Sequence, residues 1–453
     1  MQSINPATDE IIATYDETPP HAVQEQIATA DLLQRAWAQT TVAERRLPMR
    51  RLAEILEGRR EELAVLMATE MGKPVAEGRA EVDKCAWVSR YYADEAQQIL
   101  ADEHIEAGRR ASYVAYRPLG VVLAIMPWNF PLWQVFRFLA PALMAGNAGL
   151  LKHSSNVTGC ALAIDEMVVE AGFPDGLFRS LILPSDRVDE VLAHPAVRAA
   201  TLTGSDAAGR SVAAKSGALL KKTVLELGGS DPYLILADAD LDLAAEACST
   251  ARLVNGGQSC IAAKRFIVHE DVLDAFTEKF IAAMASRTMG NPLDESVTIG
   301  PQARKDLRDE LHSQVLRSVE AGAHLALGGR IPHGPGAFYP PTVLTGVTPQ
   351  MPVFREETFG PVAAITSVAS EGEAVRLAND SSFGLGAAVF TRDTERGEQI
   401  ARDQLEAGAC FVNASVASDP RLPFGGIKGS GYGRELSHIG MREFLNVKTV
   451  VVA

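Results

Sequence analysis

Apolar residues recur at helical spacing over 21–39, 42–69 and 77–99. Each stretch reads as an amphipathic helix that turns one face to a core. After a short connection containing Gly108 the pattern changes. Short apolar runs now alternate with helical ones. Strands are expected over 119–126, 149–152, 177–183, 198–203 and 222–226. Helices are expected between them over 131–144, 157–171, 186–193 and 205–216. Such alternation predicts a parallel sheet covered by helices on both faces. The scheme restarts with a helix over 241–254, a strand over 265–269 and a helix over 272–286, and a Pro/Gly-rich loop spans 331–341. The last eight residues, 446–453, are mostly β-branched and apolar and read as a strand. It has no partner nearby in sequence, so it is either an edge strand of its own chain or an addition to another subunit's sheet.

A chain of 453 residues is long enough for about two or three domains. Its net charge of −14 argues against a nucleic-acid partner, because phosphate binding needs a basic face. The most apolar segment, 119–127, is too short to cross a bilayer, and the N-terminal stretch shows no signal-peptide pattern. The five cysteines, Cys85, Cys160, Cys248, Cys260 and Cys410, form no Cys-x-x-Cys pair. Free thiols in a reducing compartment are expected, and the cytoplasm is the expected location. The nine histidines show no metal-ligand spacing, so no metal site is expected.

Two residues carry the candidate chemistry. Glu226 lies in Glu-Leu-Gly-Gly (226–229) and Cys260 in Asn-Gly-Gly-Gln-Ser-Cys (255–260). A carboxylate that takes a proton and a sulfur that attacks a carbonyl together suggest covalent catalysis. Asn129 stands in Pro127-Trp128-Asn129-Phe130-Pro131, where two prolines fix the turn. Its amide either donates to a developing oxyanion or only caps the next helix. Gly204 and Ser205 follow one strand and open a helix, which is either a phosphate site or an ordinary capped turn. Lys152 ends a short strand, where it either meets a ribose or phosphate or is simply solvated. Glu357 and Phe359, in Glu-Glu-Thr-Phe-Gly-Pro (356–361), offer a carboxylate and an aromatic face.

In this order, and with Pro-Phe-Gly-Gly-Ile-Lys-x-Ser-Gly-x-Gly-Arg-Glu at 423–435, the motifs resemble those of the aldehyde dehydrogenase superfamily over nearly the whole chain. The resemblance implies an α/β fold with three parts. A Rossmann-type parallel-sheet cofactor domain would take 1–100 and 119–227. An α/β catalytic domain would take 228–429, and small β oligomerisation strands 101–118 and 440–453. It implies that Cys260 attacks an aldehyde, that Asn129 and the Cys260 N–H hold the oxyanion, and that Glu226 activates the water that releases the acid. Trp128, Lys152, Ser155, Gly204, Ser205, Leu227, Glu357 and Phe359 would line the cofactor, and Glu435 would assist a proton relay. Many relatives carry a lysine where this chain has Phe138, so a relay through that lysine must be rerouted.

The stretch 127–156 and the ending 433–438 look most like the short bacterial succinate-semialdehyde dehydrogenases. There an arginine eight residues after the asparagine, here Arg137, faces the substrate carboxylate. Guanidinium suits that task through its bidentate, permanently charged fork. A second arginine, usual six residues before the cysteine, is replaced by Val254, and Arg252 and Arg421 are candidate substitutes. Ser418 and Phe424 would line the tunnel. Ser155 stands where NAD-specific relatives carry a glutamate that would repel a 2′-phosphate, so NADP is favoured over NAD. The expected partners are a small aldehyde and a second copy of the chain, as homodimer or homotetramer. Glutarate semialdehyde or an uncharged aldehyde is the alternative substrate. A non-catalytic protein on the same fold is the alternative of another class.

Overall fold

The computed structural model describes residues 1–453. A six-stranded sheet runs in the order Gly431–Tyr432, Lys222–Glu226, Val197–Thr203, Val121–Met126, Ala148–His153, Phe178–Ser180. All neighbours are parallel except Gly431–Tyr432, which lies antiparallel on Lys222–Glu226. Helices cover both faces, so the central strands are buried along nearly their whole length and read as continuous apolar runs. Strand order steps one way from Val121–Met126 to Phe178–Ser180 and the other way from Val197–Thr203 to Lys222–Glu226. The reversal leaves a crevice at the carboxyl ends of Val121–Met126 and Val197–Thr203, the usual place for a nucleotide in such sheets. The turn with Asn129, Lys152, Gly204 and Glu226 all lie at or just past the carboxyl ends of this sheet's strands.

A second sheet of seven strands runs His324–Leu327, Thr342–Thr345, Val362–Val368, Ala263–His269, Asp231–Ile235, Gly386–Phe390, Ala409–Val412. Only His324–Leu327 is antiparallel to its neighbour. Tyr233 and Ile235 enter one apolar cluster and Leu234 another, so the alternation of the strand separates the two faces. The third sheet is antiparallel, in the order Leu445–Val452, Ala111–Pro118, Glu103–His104. The terminal strand therefore pairs within its own chain, from Leu445 against Pro118 to Val452 against Ala111. It remains an edge, with Val447 and Val451 exposed.

Three details differ from the pattern-based expectation. The helical stretch 42–69 is two helices, Val42–Gly58 and Arg60–Met71, because Arg59 leaves helical geometry at φ −99°, ψ 14°. Gln2–Ile4 and Ile11–Thr14 form a hairpin too short to announce itself by alternation. In the glycine-rich stretch 429–433, for which the pattern announces no strand, Gly431 and Tyr432 extend the first sheet.

One buried ion pair positions the site. Lys73 on the loop before Val75–Ile99 pairs with Glu81 on that helix, and both side chains are almost completely buried. The other Glu81 oxygen accepts the backbone N–H groups of Leu132 and Trp133, each at 2.9 Å. It thus caps the helix Trp133–Met144 from outside. The Lys73 ammonium also sits 3.9 Å from the Phe130 ring centroid. Lys73→Met strands the Glu81 charge in the core and is expected to cost about 3–5 kcal/mol. Thermal and urea unfolding check this, and an unchanged midpoint would contradict it.

Candidate active site

The turn Pro127–Pro131 and the loop before Cys260 are clasped together. Asn129 Nδ2 donates to the Gln258 carbonyl at 3.0 Å. Asn255 Nδ2 returns the bond to the Asn129 carbonyl at 2.6 Å and also reaches the Gln258 carbonyl at 3.2 Å. Both asparagines are buried. The loop reaches this geometry through three successive left-handed residues, Asn255, Gly256 and Gly257, at φ 53°, 62° and 78°. Asparagine and glycine are the residue types that accept this conformation. A Cβ on Gly257 would also stand 2.3 Å from the Gly360 carbonyl carbon, so glycine is required there. Behind the loop, Lys264 Nζ takes the carbonyls of Ser259 and Cys260 at 3.0 and 2.8 Å. Arg252 Nη2 takes the Gly257 carbonyl at 2.7 Å.

Burial sets the electrostatics. It pushes the Cys260 thiol up to about 12, and the Arg137 and Lys264 charges pull it back. Burial also pushes the Glu226 carboxyl well up, and Glu435 adds to that rise while Arg137 and Arg434 oppose it. Glu435 is raised by burial and pulled down by Arg137. Arg137 Nε lies 2.8 Å from Glu435 Oε2, with both side chains buried. The N–H does not point at that oxygen, so the contact is an ion pair without a directed hydrogen bond. The guanidinium lies 4.7 Å from the Phe424 ring centroid. Phe138 is buried edge-on against Phe444, with ring centroids 5.7 Å apart, and supplies no proton carrier.

A cavity of about 490 Å³ reaches Cys260. Arg137, Ser418 and Phe424 line it. Arg252 and Arg421 do not. Arg252 is buried behind the cysteine loop, and Arg421 is exposed on Asp419 and on the Trp87 ring. Sequence reading missed Lys84, which lines the cavity, and Lys264. The signal for Lys264 was a charged residue inside the apolar run Ala263–His269. Lys84 lies on the helix Val75–Ile99 among other polar residues, with nothing to single it out.

At the crevice, Glu357 Oε1 accepts the Gly229 N–H at 2.9 Å and lies 3.5 Å from Lys264 Nζ. A Cβ on Gly228 would stand 2.4 Å from the other Glu357 oxygen, so the carboxylate rests directly on the backbone. Trp128 and Phe359 meet edge to face at 5.7 Å. Lys152 is buried with only Ser185 Oγ near its ammonium, at 3.4 Å, and burial lowers its pKa. Ser155 is exposed on the turn just beyond it. Ser205 caps the helix Asp206–Ala218, the Gly204 N–H bonds the Glu226 carbonyl at 3.0 Å, and Leu227 packs on Gly209. A buried ammonium without a carboxylate, a helix N-terminus and a carboxylate fit the phosphates and riboses of a dinucleotide.

A dinucleotide crevice that converges on a clasped, half-buried cysteine defines a cysteine-dependent oxidoreductase. The aldehyde dehydrogenase family model matches residues 1–450, and the chain belongs to that family. It is 49% identical, over the full length of both chains, to the Mycobacterium tuberculosis protein named succinate-semialdehyde dehydrogenase (NADP+) 1. It is 49% identical to the Mycolicibacterium paratuberculosis protein named succinate-semialdehyde dehydrogenase (NADP+), covering 99% of this chain and 96% of that one. The crystal structure of succinic semialdehyde dehydrogenase from Streptococcus pyogenes with NADP+ superposes with a TM-score of 0.97 at 38% identity, covering 100% and 99% of the two chains.

In the cofactor-free protein, alkylation of Cys260 is expected to rise about tenfold per pH unit between roughly pH 7 and 9.5, because only the thiolate reacts. Iodoacetamide kinetics with Cys260→Ala as blank would measure it. A plateau below about pH 8 would contradict the raised thiol.

Proposed function

We propose that this chain oxidises succinate semialdehyde to succinate with NADP+ as the hydride acceptor. The observation that carries the reading is a cavity that reaches Cys260 and is walled by the buried cation Arg137. The names and the full-length identity of the relatives support the same substrate and cofactor.

In this reading Cys260 Sγ attacks the aldehyde carbon and gives a thiohemiacetal. Asn129 Nδ2 and the Cys260 N–H hold its oxyanion, as preorganised donors in a dry site. NADP+, when bound, would supply the hydride acceptor, and loss of hydride from the thiohemiacetal carbon would leave a thioester on Cys260. Glu226, whose oxygens make no hydrogen bond to the protein, takes a proton from the water that releases succinate. Glu435, ion-paired to Arg137, is the next carboxyl on the proton's way out, with Arg137 rather than a lysine at position 138 as the neighbouring cation. Lys152, Ser155, Gly204, Ser205 and Leu227 would hold the adenosine and phosphate end of the cofactor. Glu357 and Phe359 would hold the nicotinamide end, and Trp128 would line the rest of the cofactor. Exposed Ser155 offers a 2′-phosphate a neutral hydroxyl, which is the ground for NADP+ over NAD+.

The partition is 1–100 with 119–227 for the cofactor, 228–429 for catalysis, and 101–118 with 440–453 for assembly. The exposed valines of the terminal edge strand favour a homodimer or homotetramer. No helix is long and apolar enough to cross a membrane, and we place the enzyme in the cytoplasm.

Initial rates of NADPH formation test the reading. With succinate semialdehyde, kcat/KM is expected to be higher with NADP+ than with NAD+. Glu226→Gln is expected to lower kcat by about 10²–10⁴-fold. Turnover confined to uncharged aldehydes would remove the substrate assignment, and equal or better use of NAD+ the cofactor preference.

A further inference from the structure

Three cations line the cavity: Lys84, Arg137 and Arg287. Arg287 is held by Glu246 at 2.9 Å and Arg137 by Glu435 at 2.8 Å. Lys84 alone has no carboxylate partner. Its Nζ donates to Ser418 Oγ at 2.8 Å and sits 4.6 Å from the Trp133 ring centroid. Ser418 and Trp133 line the same cavity. The acids of that wall are engaged elsewhere: Glu81 with Lys73, Glu295 with Arg79, and Glu77 with the Asn255 N–H at 2.7 Å.

A largely buried ammonium without a counter-ion is costly, and a bound anion relieves the cost. Burial, with Arg137 adding to it, lowers the Lys84 pKa to about 8, while Cys85, Glu81 and Asp419 oppose the shift. The position usual for a second arginine holds Val254, and neither Arg252 nor Arg421 lines the cavity. We infer that Lys84, steadied by Ser418 and Trp133, is the second specificity-determining cation and receives the substrate carboxylate together with Arg137. The inference rests on the reading that the substrate carries a carboxylate. A lysine suits the role of second prong, since three rotatable donors let it keep Ser418 while turning to a carboxylate oxygen. Arg137 then divides its charge between Glu435 and the cavity, and Lys84 supplies the charge that is committed to no acid.

The test is the selectivity ratio, kcat/KM for succinate semialdehyde divided by that for butanal, with the full chain and saturating NADP+. Lys84→Met is expected to lower the ratio about 10- to 100-fold, chiefly through KM for the charged aldehyde, as loss of a charge-assisted hydrogen bond would. Lys84→Arg should recover much of it, and Ser418→Ala should lower it a few-fold. Inhibition by succinate should weaken in parallel. A ratio within about twofold of wild type in Lys84→Met, or equal loss on both aldehydes, would overturn the assignment. If Lys84→Met does not fold, Ser418→Ala and Lys84→Arg decide: an unchanged ratio in Ser418→Ala overturns the proposal. A wild-type enzyme that does not prefer the charged aldehyde is a different result, which removes the substrate reading itself.

Discussion

The site depends on one clasp. The Asn129 amide donates to the Gln258 carbonyl while Asn255 donates back to the Asn129 carbonyl. These bonds join the end of the first sheet's central strand to the loop that feeds the second sheet, and they are buried. Breaking one leaves unpaired polar groups in a dry place, so each is costly to lose. The Lys73–Glu81 pair supports the clasp from the other side by fixing the helix that follows the Asn129 turn. Left-handed Asn255, Gly256 and Gly257 supply the shape that lets Gln258 and Cys260 approach. Cys260 is thus placed by backbone geometry that few residue types accept, and Asn129, the proposed oxyanion donor, is placed by the same bonds.

Around the clasp, burial does most of the electrostatic work. Removal from water favours the neutral forms of Cys260, Glu226 and Glu435 alike. One guanidinium, Arg137, opposes all three shifts. It occupies the neighbourhood that relatives give to a lysine one residue further on, and Phe138 is free to pack on Phe444 instead. Arg137 thus both pairs with Glu435 and lines the cavity, and on the proposed reading a second, uncommitted cation on the cavity wall matters for that reason.

Much of this was legible in the sequence. The βαβ alternation gave the first sheet because its strands are short apolar runs bounded by turn residues, and the strand Lys222–Glu226 matched its expected bounds. The second sheet was largely silent, since Asp231–Ile235 and the strands after residue 324 are brief and separated by irregular stretches. The motifs marked Cys260, Glu226 and Asn129 because turns with fixed glycines and prolines leave a readable trace. The clasp itself was not readable, as Asn255 and Gln258 act through backbone carbonyls more than a hundred residues away or in the next turn. Lys84 was hidden for a related reason. Its partner Ser418 lies 334 residues further along the chain, and a lysine on an amphipathic helix looks solvated until the fold closes over it. The missing second arginine at Val254 was the only hint that a cation had to come from elsewhere.

On this account catalysis is covalent at Cys260, with release by Glu226. The most direct test is mass spectrometry of Glu226→Gln mixed with succinate semialdehyde and NADP+ and quenched in acid. A succinyl thioester on the peptide that carries Cys260, formed together with a single burst of NADPH, is the predicted result. Steady turnover without any adduct on Cys260, or an adduct that forms and clears as fast as in the unsubstituted enzyme, would contradict it.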